Sequence, residues 1–275
     1  MRKRDFTMRN NFIYVSTDVV RHMVVARGVN SVDFIRGVKK IPQNIVLLND
    51  DRRHANGLNA HTRFSVIQGT RNVRAYLLND QINNKRVVDY RNNEDLDELL
   101  DYEIADLLYL SHMGFPMHDA FSTKLGNRYV YIMMRAHFTK IYYRRLADFD
   151  RVLNDCVQRH MALTIRNYHG HLPFMPIGKL GRAGLRVGRL PKSMVRRLVK
   201  VTENGMIVAF DQARRLKRRH VFEIPLLIEK FPDAQSTWYY KSDIYQNTVR
   251  IGKLLYNESK ADWRLRIKVK NAAGD

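Results

Sequence analysis

The dominant feature of this sequence is a concentration of positive charge between residues 159 and 220. This stretch contains eleven Arg and four Lys residues, and only Glu203 and Asp211 oppose them. Cations at this density repel one another unless solvent or an anion surrounds them, so they belong at a surface. A basic surface raises the local concentration of phosphate-bearing ligands, which favours polyanions as partners.

The charge also divides the chain. Of the formal net charge of +21, residues 1–150 carry +6 and residues 151–275 carry +15. This asymmetry predicts a mostly structural or regulatory first half and a second half that faces a polyanion. The residue pattern predicts a strand-rich N-terminal region, residues 1–145, with an acidic helix near residues 93–113. A basic C-terminal region, residues 146–275, would hold a helix, a Gly/Arg loop, a hairpin and a final basic strand. The two regions can also form a single domain.

The pattern of apolar and turn-forming residues predicts an α+β fold. Residues 18–27 read as a short helix, and an antiparallel β-meander of hairpins would follow, packed by two or three helices. Its strands are predicted at residues 32–38, 44–48, 63–68, 73–78 and 86–90. Further strands are predicted at 129–133 and 137–143, and an amphipathic helix at 146–164.

The acidic helix begins at Asn92 or Asn93 and has four acidic residues in its first turns, where the helix dipole favours anions. Five leucines fall near one face: Leu96, Leu99, Leu100, Leu107 and Leu108. Two interpretations stay open. The helix is a core element with a solvated acidic face, or its acidic patch docks on the basic half of this chain or of another copy and forms a homo-oligomer.

Composition limits the remaining classes of protein. The single cysteine, Cys156, excludes disulfides and cysteine-based zinc sites within one chain. It lies on the apolar face of the 146–164 helix, where it is expected to be an inert core residue. No run of about 18 apolar residues is present, so no membrane partner is expected. The uncharged run at residues 10–17, which follows a basic N-terminus, is too short and too polar for a signal peptide, and a reducing, cytoplasmic location is therefore expected.

Three segments of the basic half are candidates for phosphate binding. The first, residues 178–189, is a Gly- and Arg-rich loop without the Walker A spacing. The second surrounds Asn204-Gly205, which favours a hairpin, although a helix-turn-helix over residues 193–219 is an alternative. A short basic helix would start at Asp211. The third is a strand, residues 263–270, in which apolar and cationic side chains alternate.

These segments supply the candidate nucleic-acid-binding residues: Lys179, Arg182, Arg186, Arg189, Arg196, Arg197, Arg214, Arg215, Lys217, Arg218, Arg219, Arg264, Arg266, Lys268 and Lys270. Aromatic residues beside them, including Tyr168 and Trp263, could stack on bases.

Catalytic signatures are missing. His169 and His171, or Asp50, Asp51 and His54, have residue types found in metal sites, but their spacing matches no established motif. No metal site and no cofactor are predicted. The favoured function is that of a non-enzymatic nucleic-acid-binding protein, DNA or RNA. An enzyme acting on nucleic acid or a phosphorylated substrate, and a protein-interaction module with a basic docking surface, are the alternatives.

Overall fold

The computed structural model describes residues 11–49, 52–111, 120–134, 138–169, 187–216, 220–230 and 245–267. The chain divides into two compact units. The central unit is Thr17–Val152. The terminal unit combines Met1–Ser16 with Leu153–Asp275. The chain passes from one unit to the other twice, once inside a strand and once inside a helix.

The described residues contain six α-helices and thirteen strands, which confirms the α+β class. Their number of helices exceeds the two or three predicted. Every strand pair of known register is antiparallel, as expected.

The central unit holds an antiparallel sheet of order β2–β8–β7–β6–β3–β5–β4. Its strands are β2 (Met23–Arg27), β3 (Asn44–Leu47), β4 (Gly57–Leu58), β5 (Ser65–Gln68), β6 (Arg86–Tyr90), β7 (Tyr129–Met133) and β8 (Phe138–Tyr143). Its helices are α1 (Ser31–Gly37), α2 (Thr70–Leu78), α3 (Asn93–Asp97) and α4 (Asp101–Ser111), with short 3₁₀ turns at Arg52–His54 and Leu146–Asp148.

An aromatic cluster forms the core of the central unit. The Phe34 ring, on α1, lies 5.1 Å from the Tyr131 ring and 5.6 Å from the Tyr129 ring, both on β7. Helix α1 approaches the start of the next long helix so closely that a Cβ at Gly37 would lie 2.4 Å from the Cα of Val152. Only glycine permits this contact without a backbone shift.

Three predicted elements of the central unit are wrong in type. Residues 18–27, predicted as a helix, contain the end of β1 (Ile13–Asp18), a turn and β2. Residues 32–38 form helix α1 instead of a strand, because Asn30 and Asp33 make a reciprocal capping box. Residues 73–78 belong to helix α2, where Val73, Tyr76 and Leu77 are buried at helical spacing.

The acidic helix is two helices. Asn92 caps α3 through a capping box with Asp95, and α4 begins anew at Asp101. The break rotates the leucines out of register. Leu96, Leu99 and Leu107 are buried, whereas Leu100 and Leu108 are about half exposed. The expectation that all five share a buried face is therefore wrong.

The terminal unit holds a sheet of order β13–β12–β11–β9–β1. It is built from β1, β9 (Met206–Val208), β10 (Arg214–Leu216), β11 (Val221–Glu229), β12 (Thr248–Asn257) and β13 (Asp262–Ile267). Strands β9 and β10 pair with opposite ends of the same edge of β11, and the 3₁₀ turn Phe210–Gln212 lies between them. Helices α5 (Phe149–His169) and α6 (Lys192–Thr202) complete the described elements.

Helix α5 confirms the predicted amphipathic helix and extends it to His169. Phe149, Leu153, Cys156, Val157 and Met161 are buried, and Cys156 is a core residue as expected. His160 is also buried. Its Nδ1 lies 2.6 Å from Asn11 Oδ1, and its ring stacks on Phe210 at 5.5 Å. The predicted strands at 129–133 and 137–143 correspond to β7 and β8.

The region around Asn204-Gly205 follows neither predicted arrangement. Helix α6 matches the first helix of the helix-turn-helix alternative, but a strand, β9, follows the turn in place of a recognition helix. Gly205 has a φ of 65° at this turn. The basic helix predicted from Asp211 is also wrong, because Arg214–Leu216 forms strand β10 against β11.

No helix among the described residues is long and apolar enough to cross a membrane.

Lys85 and Asp89 are among the charged side chains buried inside the central unit. Lys85 Nζ donates to the carbonyl oxygens of Leu77 and Asn79, which caps the C-terminal end of α2, and to Ser31 Oγ. Asp89 Oδ1 accepts the backbone N–H groups of Arg128 and Tyr129. Burial lowers the pKa of Lys85 to about 8 and raises the pKa of Asp89 to about 6.

The substitution Asp89→Asn should remove a pH dependence of stability. The raised pKa of Asp89 means that its contribution to folding is full below the unfolded value of 3.8 and is lost as the pH rises through about 6. The free energy of unfolding of the wild type should therefore fall by about 2–3 kcal/mol relative to Asp89→Asn over this range. Urea denaturation at pH 4 and pH 7 measures the difference.

An amide oxygen at position 89 can still accept both backbone N–H groups, so the variant should fold. Asp101→Asn, at an exposed position on α4, is the matched control and should show no such difference. Parallel pH profiles for the wild type and Asp89→Asn would contradict the assignment.

Candidate nucleic-acid interface

An open groove of about 280 Å³ lies on one face of strands β10 to β13. The antiparallel register decides which side chains reach it, because residues paired across strands share a face. Arg214 pairs with Glu223, Glu223 with Leu255, and Leu255 with Arg264. The same alternation directs Phe222, Tyr256 and Trp263 to the opposite, buried face.

Three cations meet in this groove. Lys253 on β12 lies directly opposite Arg266 on β13, and Arg264 lies two residues along the same strand. Both arginines are exposed. Like charges directly opposite each other destabilise a sheet, and an anion between them removes the penalty. The arrangement thus favours a bound anion at the β12–β13 edge of the groove.

Asp262 adds a carboxylate to the groove, and Glu223 neutralises its other side. The two carboxylate oxygens of Glu223 accept from Lys253 Nζ at 2.8 Å and from Arg250 Nη2 at 3.0 Å. The hydrogen bond from Lys253 is the main cause that lowers the pKa of Glu223 below its ordinary value. The carboxylate thus occupies, next to Lys253, a position that an incoming phosphate would compete for.

Arg214 and Arg215 are neighbours in sequence with different roles. Arg214 is exposed on the groove face of β10. Arg215 faces the other way, and its guanidinium binds Glu258 Oε2 at 2.9 Å and stacks 5.1 Å from the centre of the Tyr168 ring. Its side chain is only 14% exposed, so Arg215 stabilises the fold.

Residues 187–190 are held against the sheet immediately before α6. Trp263 Nε1 donates to the Gly188 carbonyl at 2.7 Å, and Tyr256 makes a hydrogen bond with the Gly188 backbone. The Asn154 side chain bonds both backbone groups of Leu190. Arg189 points away between these anchors, 79% exposed and 4.0 Å from Asp155. A Cβ at Gly188 would clash with the Ala261 carbonyl, so this position requires glycine.

Helix α6 carries a second cationic surface. Lys192, Arg196, Arg197 and Lys200 are exposed, whereas Val195 and Leu198 are buried. Helix α6 contains no acidic residue. Successive cations at i and i+4 repel one another, so this face also favours an anionic partner.

Aromatic stacking on bases receives no support from the described residues. Trp263 is 5% exposed and contacts Tyr256 with ring centroids 4.7 Å apart. Tyr168 packs against Phe222 and Arg215. Among the described residues that line the groove, none is aromatic.

Several predicted residues lie outside the described ranges: Lys179, Arg182, Arg186, Lys217, Arg218, Arg219, Lys268 and Lys270, together with Asp50, Asp51 and His171. His54 is exposed on a 3₁₀ turn with its ring 6.0 Å from that of Tyr76, and His169 is the last residue of α5. Within the described ranges, no group of three or more His, Cys, Asp or Glu side chains could hold a metal ion.

The sequence interpretation missed Lys253, Arg250 and Glu223. Strand β12 contains apolar residues on both faces, and a bulge opposite Leu226 and Leu227 interrupts its alternation. The only sequence signal was indirect: the polar turn at residues 258–261 precedes the alternating strand and suggests that the preceding segment pairs with it.

No family model, no curated protein and no solved structure matches this chain. The groove therefore has to be interpreted from its own residues.

Substitution of Arg215 and Arg214 by Gln should separate their roles. Arg215→Gln removes the partner of Glu258 and a stacked guanidinium, and should lower the free energy of unfolding by about 1–3 kcal/mol. Arg214→Gln should change it by no more than about 0.5 kcal/mol. Urea denaturation followed by circular dichroism measures both, and equal effects would show that Arg215 is not a structural residue.

Proposed function

We propose that the terminal unit binds nucleic acid through the groove of strands β10 to β13, by contacts to the phosphate backbone. The cluster of Lys253, Arg264 and Arg266 carries this proposal, because it sets three cations together on an open sheet face. Arginine suits phosphate through its forked donors, and lysine adds a point charge.

The residues that line the groove favour contacts to the phosphate backbone over stacking on bases. Proteins that bind single strands without sequence preference combine a cationic groove with aromatic side chains on which the bases stack. The described lining of this groove offers Leu216, Val221 and Leu255 in place of aromatic rings. Duplex nucleic acid, which presents its phosphates outwards, is therefore the favoured ligand class.

The strongly basic balance of the whole terminal unit supports the same function. The chain carries 48 Lys and Arg against 27 Asp and Glu, and the excess is greatest in residues that belong to this unit. Such a field accelerates the capture of a polyanion even from positions that do not touch it.

The double substitution Arg264→Gln, Arg266→Gln should weaken duplex binding at least about tenfold, because it removes two charge-assisted contacts to phosphates. The slope of log K against log salt should become shallower by about 2, because two fewer counterions are released. Fluorescence anisotropy with a random duplex across a salt series measures both quantities. The nuclease-treated, purified protein is used throughout.

The control for this experiment is Arg71→Gln, Arg74→Gln, which removes the same charge from exposed positions on α2 in the central unit. Its affinity should stay close to that of the wild type. Equal losses in both variants would mean that only the overall charge matters. Wild-type protein that binds neither duplex nor single strand at low salt would exclude the proposed function.

The substitution Glu223→Gln should raise the affinity for duplex by about threefold to tenfold, because it removes the carboxylate that competes with phosphate for Lys253 and Arg250. Titrations at constant salt measure the change. Glu203→Gln, which removes one exposed negative charge from a residue outside the groove, is the matched control and should have a smaller effect. Lower affinity in Glu223→Gln would mean that Glu223 orients Lys253 for the ligand instead.

A further inference from the structure

The segment from residue 92 to residue 123 contrasts with the rest of this basic chain. It contains eight Asp and Glu residues and no Lys or Arg. In the described part of this segment, Glu94, Glu98, Asp101 and Asp106 are exposed, and no described residue forms an ion pair with them. Two others are neutralised locally, since Asp95 lies 3.6 Å from Arg91 and Glu103 lies 2.6 Å from Lys124.

A groove of about 230 Å³ accompanies these charges along α4. Buried Leu99, Leu107, Leu110 and Ala120 contribute to its lining, and Glu103 and Asp106 add carboxylates. At one end Tyr102 is 63% exposed and Leu100 is 52% exposed. Large apolar side chains exposed beside a polar rim are typical of a protein-binding surface.

The chemistry of this surface specifies a cationic partner that also offers apolar side chains. Helix α6 meets this description, with four exposed cations and no acidic residue. Met194 and Val199 are partly exposed on the same helix and supply apolar contacts. A helix that lies in a groove is a common mode of recognition, and complementary charges along its sides determine its orientation.

We propose that the acidic groove of α4 binds helix α6 of a second copy of this chain, so that the protein self-associates through these two surfaces. The partner is favoured by charge complementarity, because each surface carries several charges of one sign that have no ion-pair partner among the described residues. This interface is separate from the groove of β10 to β13 and does not depend on the proposed function.

A charge-swap experiment tests the proposal. One variant carries Glu98→Lys, Asp106→Lys, and the other carries Arg196→Glu, Arg197→Glu, all at exposed positions. Each variant alone should associate more weakly than the wild type, because at the substituted positions the reversed surface meets charges of its own sign. An equimolar mixture should restore association, because each surface again meets its complement. Sedimentation velocity of nuclease-treated protein at low and high salt measures the species present, and the wild type should associate more weakly at high salt.

Three results would overturn the proposal. The wild type could remain monomeric at low salt, the two variants could associate as the wild type does, or their mixture could fail to restore association. Loss of duplex affinity in Arg196→Glu, Arg197→Glu with unchanged self-association would assign α6 to a nucleic-acid surface instead. The variant Arg264→Gln, Arg266→Gln should still self-associate, so failure of the proposed function and failure of this inference are distinguishable.

Discussion

The antiparallel ladder of β11 with β12 is the interaction on which the terminal unit depends. Strand β11 carries β12 along one edge and both β9 and β10 along the other, and β13 is attached through β12. Because side chains alternate along each strand, this one register assigns every residue of four strands to the buried or to the open face. If β13 slipped by one residue against β12, Arg264 and Arg266 would turn to the buried face and Trp263 to the open face.

The same alternation explains why neighbouring arginines differ. Arg215 points to the buried side, where Glu258 and the Tyr168 ring surround it, and Arg214 points to the groove. Tyr168 and Trp263, which the sequence suggested for base stacking, stabilise the fold instead. Trp263 and Tyr256 hold the backbone of Gly188, which positions the chain that leads into α6. These aromatic residues are buried beneath the sheet face that carries Arg264 and Arg266.

Buried and exposed charged groups differ in how they are paired. Backbone groups satisfy two buried charged side chains of the central unit: carbonyl oxygens at the end of α2 accept from Lys85, and two N–H groups donate to Asp89. Where cations are exposed together, as in the β12–β13 groove and on α6, the described residues provide fewer carboxylates than cations. Glu223 and Asp262 are the carboxylates of the groove's described lining, and Glu223 accepts hydrogen bonds from Lys253 and Arg250.

The sequence by itself determined the α+β class, the amphipathic helix that became α5 and the final strand with its exposed Arg264 and Arg266, because these features follow from local periodicity. It also indicated where the positive charge accumulates. The sequence did not predict correctly whether α1, α2 and β2 are helices or strands, since apolar runs of five to seven residues fit a helix or a buried strand equally well. Only tertiary structure decided that Lys253 lies opposite Arg266 and that Arg215 packs against Glu258 and the Tyr168 ring. Each of these depends on which strand or helix lies next to a residue in space, and local sequence does not specify that neighbour.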